Sequence, residues 1–429
     1  MGSRVPEAGP GPAVIALSTD EPLRLTATDR PRVLAVTSEV PWPLDSGGHL
    51  RTYPLFRALA ARLQMRVVAP TPSDQASANA AALRAAGVEP RLVEMPARTG
   101  VGEAIKALRA GLTGEPYVMF ARHRHRGVRQ TLEREMARQA PHAIYLDHLD
   151  SLVYAGVRPR IPLVVDMHNV YSRLASRMAG EAHGALRRAY LAHEGVLLQR
   201  MELRAVDLAH TLLAVSDGEA RYFSSLGARR VVVVPNGVDC DAFGSLAIGR
   251  RPGPPTILYV GSLAWPPNAN AAHFLATEVM PAVQQQLPDA RLVIVGRDPG
   301  PEVLMLARHP QIEVVANAPD VAPYYRDANI LAVPLQAGGG TRLKILEAFA
   351  AGVPVVSTAV GCEGIDAVDG RYLEIAECPE FATALVRLLR DPNRAGVVAE
   401  RARVFARERF DWSVVGAQAC DAVEAAAAS

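Results

Sequence analysis

Short apolar runs rich in β-branched residues alternate along the chain with longer stretches whose apolar positions recur at helical spacing. From Pro31 onward this alternation is the pattern of βαβ units stacked around a parallel sheet. Runs at 32–37, 65–69, 91–95, 143–146, 163–166, 211–215 and 231–234 read as strands buried on both faces. Helices are predicted between them, among others at 50–63 and 186–209. The alternation stops at 241–255, where Gly244, Gly249, Pro252, Gly253, Pro254 and Pro255 disfavour any continuing element. It restarts with strands at 256–260, 291–295, 312–315, 330–333 and 353–357. The fold class is therefore α/β, with two doubly wound, Rossmann-like domains at 31–240 and 256–410 joined by a linker at 241–255. A helix at 411–429 is placed to pack back on the first domain. Residues 1–30, with Pro6, Gly9, Pro10, Gly11 and Pro12, read as a disordered extension, and their apolar stretch is too short for a signal sequence.

Composition narrows the function classes. With 46 Lys+Arg against 44 Asp+Glu the net charge is only +2, so there is no broad basic field for nucleic acid, and any anion site must be local. No run reaches the roughly 18 apolar residues needed to span a bilayer. Cys240, Cys362, Cys378 and Cys420 lie far apart without a CxxC pair and read as free thiols of a cytoplasmic protein.

Ligands of doubly wound sheets bind beyond the carboxyl ends of the strands, so the loops there are the candidates. The first strand leads through Pro41, Trp42, Pro43, Asp45 and Ser46 to Gly47 and Gly48 at a helix start. That is either an anion-accepting N-terminus or a tight turn. The segment 334–354, PLQAGGGTRLKILEAFAAGVP, is richer in candidates. Gly338, Gly339 and Gly340 open a helix on which Gly340, Lys344 and Glu347 share a face. A glycine-rich approach, a cation one turn in and a carboxylate two turns in suit a nucleotide diphosphate. The plainer alternative is a loop followed by a Lys344–Glu347 surface pair.

This segment, with VPNGVD (234–239), YVGS (259–262) and LVIVG (292–296), resembles the retaining glycosyltransferases of family 4, which have the GT-B fold of two Rossmann-like domains facing a central cleft. The resemblance covers 31–412. It implies transfer of a sugar from a nucleotide diphosphate sugar (UDP-, GDP- or dTDP-linked) to a hydroxyl acceptor, which is a glycan, a lipid-linked or a natural-product acceptor. The second domain would take the donor and the first the acceptor, with no tightly bound cofactor or metal. The expected donor contacts are Gly47, Gly48, Gly338, Gly339, Gly340, Thr341, Glu347, Arg297 and Ser262, and the expected catalytic residues are His168, Lys344 and Arg342. Two positions depart from the family pattern. The first of two family glutamates falls on Gly339, while Glu347 matches the second. Where the family places an Arg and a Lys after the first strand of the second domain, this chain reads GSLAWPPN (261–268), which neutralises no phosphate. Lys344 and Arg342 are expected to supply the missing charge. With its GSLAWPPN and GGGTRLK stretches the chain resembles a branch often tied to exopolysaccharide or natural-product glycosylation.

Other positions keep two readings. His168 is either the family histidine beside the donor sugar or a structural hydrogen bonder. Asp147, His148 and Asp150 are metal-capable but read as structural or acceptor-facing. Arg122, His123, Arg124, His125, Arg126 and Arg129 are a solvated face or a contact for acidic lipid, which would bring the protein to the inner membrane face. Asn236, Gly237 and Asp239 read as hinge, and Arg297 either reaches the donor or lies on the surface. A nucleotide-sugar epimerase and a non-catalytic sugar-nucleotide-binding protein are the alternative functions on this fold. Oligomeric state is left open.

Overall fold

A computed structural model describes residues 30–95, 114–116, 119–157, 161–182, 184–244, 253–337 and 342–429. The predicted extension up to residue 29, most of the predicted linker, and Gly338, Gly339, Gly340 and Thr341 lie outside the described residues.

The β-branched runs form two all-parallel sheets. In the first lobe β1 (Arg32–Val36), β2 (Gln64–Pro72), β3 (Glu89–Met95), β4 (Ala143–Asp147), β5 (Leu163–Met167), β6 (Thr211–Ala214) and β7 (Val231–Val233) lie in the order β3-β2-β1-β4-β5-β6-β7. In the second lobe β8 (Thr256–Ser262), β9 (Arg291–Arg297), β10 (Ile312–Ala316), β11 (Ile330–Val333), β12 (Val355–Ser357) and β13 (Glu374–Ile375) lie in the order β10-β9-β8-β11-β12-β13. This is the GT-B architecture. The apolar continuity of β1, β4, β5 and β11 reflects helices covering both faces, which leave these strands almost wholly buried.

Six helices frame the cleft and the hinge: α1 (Gly47–Arg62), α2 (Ala185–Leu208), α3 (Pro266–Phe274), α4 (Ala322–Asp327), α5 (Leu343–Ala350) and α6 (Trp412–Ala427). Helix α1 begins three residues before its predicted start because Ser46 caps it, its Oγ accepting from the His49 amide at 3.2 Å. Gly47 and Gly48 are thus its first turn. The last predicted strand starts at Val355 rather than 353, after Pro354. The predicted linker gives way at its start, where Cys240–Gly244 is helical. Asp239 accepts there from the amides of Asp241 and Ala242, and the Phe243 ring packs on Tyr325. Composition had concealed this short helix.

After the second lobe the chain returns past the hinge. The Trp412 amide donates to the Val238 carbonyl, and the Trp412 ring covers Gly237. Helix α6 then lies on α1. Gly416 permits this approach, since a Cβ there would stand 2.5 Å from Ala58 Cβ, and Arg62 pairs with Asp421 and Glu424. Val415, Ala419, Ala422, Val423 and Ala426 complete the first lobe's core beside Leu55 and Leu59. Among the described residues no helix is long and apolar enough to cross a membrane.

Candidate active site in the cleft between the lobes

In the first lobe the carboxyl ends of β4 and β5 carry Asp147, Asp166 and His168 into a buried charge network. Arg51, on the inner face of α1 and 1% exposed, donates to both oxygens of Asp166, at 2.6 and 3.1 Å. Tyr145 donates its hydroxyl to Asp166 at 2.8 Å. Thr37 and Thr52 donate to Asp147 at 3.0 Å, and His168 Nε2 donates to Asp147 at 3.1 Å, lying 3.5 Å from Asp166. Burial opposes the charge on His168, but the two carboxylates outweigh it and raise its pKa to about 9. The Asp166 carboxyl, although its burial acts the other way, is held far below its usual range by Arg51 and His168. The His148 ring meets His168 edge-on at 4.8 Å and its Nδ1 lies 3.1 Å from Asp150.

Asp147, Asp166 and His168 place ligand atoms within 4.8 Å of one another, a set that could hold a metal ion. Their donor sets argue against that use. Both Asp166 oxygens already accept from a guanidinium, Asp147 accepts from two hydroxyls, and His168 is an imidazolium. Arg51 is committed here and also donates to Pro235 O and to Asn236 Oδ1, so it ties β5 to the hinge.

In the second lobe α5 starts at Leu343, with buried Arg342 at its N-cap. The surface-pair reading of Lys344 and Glu347 fails, because each side chain has its own buried partner. Lys344 runs back to the carboxyl end of β8. Its Nζ donates to Asn268 Oδ1 at 3.1 Å and stands 4.5 Å over the Tyr259 ring. Glu347 accepts from the Tyr325 hydroxyl of α4 at 2.8 Å and lines a cavity between the lobes, facing Leu50, Tyr53 and Pro54 of α1. Burial and the nearby Arg342 lower the Lys344 pKa to about 7, and burial raises that of Glu347.

Other predicted residues have less central places. Ser262 offers its carbonyl to Asn268 Nδ2 at 2.9 Å. Arg297 crosses the cleft to Asp45 at 3.3 Å. On the far side Arg177 pairs with Glu363 of the second lobe. In the basic segment, Arg124 pairs with Glu115 and Arg129 donates to the Val153 carbonyl, so part of that charge is used internally. Sequence reasoning missed Tyr145, Asp166, Tyr259 and Tyr325 as site residues. Each sits in an apolar run or a short helix, where nothing local distinguishes a buried hydroxyl or carboxylate from ordinary filling.

Family models divide the chain along the same line. The model described as Glycosyltransferase Family 4 matches residues 46–242, and that described as Glycosyl transferases group 1 matches 254–391. The chain belongs to the family 4 glycosyltransferases. Its similar relatives in this family include a phosphatidyl-myo-inositol mannosyltransferase of Mycolicibacterium smegmatis, 29% identical over 48% of this chain and 55% of the relative. A D-inositol 3-phosphate glycosyltransferase of Mycobacterium avium is 28% identical over 49% of this chain and 54% of the relative. The chain thus spans a little over half the length of these curated relatives. Among solved structures, sucrose-phosphate synthase from Thermosynechococcus elongatus matches with a TM-score of 0.66 at 18% identity, over 93% of this chain and 100% of that one. Anabaena HepE in complex with UDP matches with a TM-score of 0.63 at 16% identity, over 92% and 100%. At these identities the likeness speaks for the fold.

Proposed function

We propose that the chain is a retaining glycosyltransferase that moves a sugar from a nucleotide diphosphate sugar to a hydroxyl acceptor, with the donor on the second lobe and the acceptor on the first. The observation that carries this reading is the Lys344 ammonium at the carboxyl end of β8, one turn before a Glu347 that opens into the cavity between the lobes. A departing diphosphate gains negative charge as the glycosidic bond breaks. Lys344 and Arg342 supply the cations that stabilise it, and Glu347 accepts from the ribose hydroxyls. His168, charged at neutral pH, acts beside the sugar. The glycine-rich approach from Gly338 to Thr341, the start of α1 at Gly47 and Gly48, Ser262 and Arg297 complete the donor contacts. Solved relatives in complex with UDP and UDP-glucose support a nucleotide-sugar donor, and the mannosyltransferase relatives support a polyol or lipid-linked acceptor. The same proposal takes the enzyme as cytoplasmic, with residues 122–129 available for peripheral contact with an acidic membrane face, and as needing no tightly held metal.

Titration calorimetry with UDP-, GDP- and dTDP-sugars tests donor use, and the anomeric configuration of the product tests retention. Binding of one donor, weakened roughly ten- to a hundredfold in Glu347→Ala by the loss of about 1.5 to 3 kcal/mol, is the expected result. A folded protein that binds none of them sinks the reading, as does unchanged affinity in the folded variant for the part given to Glu347.

A further inference from the structure

The 46 basic residues comprise 44 arginines and only two lysines, Lys106 and Lys344. A chain that uses arginine almost everywhere keeps an amine at 344, and the seat of that amine explains the choice. Nζ lies between the Tyr259 ring at 4.5 Å, Asn268 Oδ1 at 3.1 Å and Gly261, where a Cβ would stand only 3.0 Å from it. A compact ammonium fits there, whereas the broad planar fork of a guanidinium does not.

Asn268 is itself fixed from three directions. Pro266 and Pro267 open α3, and the Asn268 amide donates to the Trp265 carbonyl at 2.9 Å, which sets the backbone. Its Nδ2 donates to the Ser262 carbonyl at 2.9 Å, which leaves Oδ1 turned to the Tyr259 hydroxyl at 2.9 Å and to Lys344. Gly261 allows this approach, since a Cβ there would meet Asn268 Cγ at 2.9 Å. The Gly261, Trp265, Pro267 and Asn268 of the stretch GSLAWPPN (261–268) therefore build one object, an acceptor aimed at a lysine 76 residues away.

We propose that Asn268 is a positioning residue for the donor diphosphate, holding the Lys344 ammonium at the carboxyl end of β8 without neutralising it. The proposal rests on the reading of Lys344 given above. A neutral carboxamide suits the task, because an aspartate in its place would cancel the charge that the diphosphate needs. Among the described residues the charged and titratable groups around Nζ are Arg342 at the N-cap of α5, Glu347 of α5 and Tyr259 of β8, while the Tyr325 hydroxyl of α4 donates to the Lys344 carbonyl and to Glu347, and Arg297 of β9 is turned to Asp45. Burial and Arg342 leave the free amine poised near pH 7, so a donor that arrives above that pH draws a proton onto Lys344.

Two measurements test this. Pulse acetylation with acetic anhydride, read by mass spectrometry against Lys106, follows Lys344 across pH without any donor. Asn268→Asp should raise its labelling midpoint by at least about one pH unit, as an added carboxylate within contact distance does. Asn268→Ser, which withdraws the acceptor, should lower it. An unfolded protein would instead move both variants toward the ordinary lysine value, and thermal unfolding identifies that case. Calorimetry with UDP-glucose and with GDP-mannose at pH 8, in buffers of different ionisation enthalpy, then counts protons. Wild type should take up close to one, Asn268→Asp about half a proton or less, and Lys344→Arg almost none. A labelling midpoint unmoved in folded Asn268→Asp overturns the positioning role. A shifted midpoint with no proton uptake on binding overturns its link to the diphosphate. Failure of both sugar nucleotides to bind, with the midpoints shifted as expected, leaves Asn268 coupled to Lys344 and falls on the donor reading instead.

Discussion

His168 lies between two carboxylates, so at neutral pH it is an imidazolium, and removing it does more than delete a ring near a sugar. Its folded pKa of about 9 exceeds the unfolded value near 6.5, so the stability it contributes is full below about pH 6.5 and is lost as pH rises through about 9. Thermal midpoints of wild type and His168→Gln should therefore differ most below neutrality, by a stability on the order of 3 kcal/mol, and converge above pH 9. A constant gap across that range would mean that the ring is neutral in the folded state. Glutamine keeps a donor toward Asp147 and removes only the charge. Turnover should consequently fall more than donor affinity if the imidazolium acts in the transition state. Lys344→Met keeps the apolar stem and deletes the ammonium, and should cut turnover roughly a hundredfold or more at saturating donor. Wild-type turnover in that folded variant would pass the role to Arg342.

At the scale of elements, the meeting of α6 with α1 depends on one missing side chain. Gly416→Val would drive its methyl groups into Ala58, where the glycine already leaves no space for a Cβ. A loss of about 1 to 3 kcal/mol is expected from such overpacking, read as a lowered denaturation midpoint, while Gly396→Val on a helix surface with open space around it should cost far less. Equal effects would mean that α6 does not bear on α1. The strands were legible in the sequence because each is a compact apolar run, and the two-lobe division because the alternation pauses between β7 and β8. Strand β13 was not, since two residues, Glu374 and Ile375, carry no period. The candidate site was legible where its residues are local, as in the Lys344–Glu347 spacing. It was illegible where distant residues converge, as with Arg51 on Asp166 or Asn268 on Lys344, because no periodicity reports a contact between elements far apart in the chain.

For the molecule as a whole, the cleft is bridged by side chains, Arg297 to Asp45 on one side and Arg177 to Glu363 on the other. The buried Asp147 and Asp166 and the part-buried His168 balance their charge with Arg51. Activity should therefore survive EDTA. Its abolition, with recovery on adding manganese or magnesium, would give those three residues a metal-binding role. The route of α6 has a further consequence for how the protein is made. The first lobe is synthesised first, yet Val415, Ala419, Val423 and Ala426, which close its core, leave the ribosome only after the entire second lobe. Until then the outer face of α1 stays uncovered, and the usual order, in which an N-terminal domain settles before its neighbour appears, is denied to this chain. A nascent chain halted after residue 410 should accordingly hold a second lobe more protected from protease than the first.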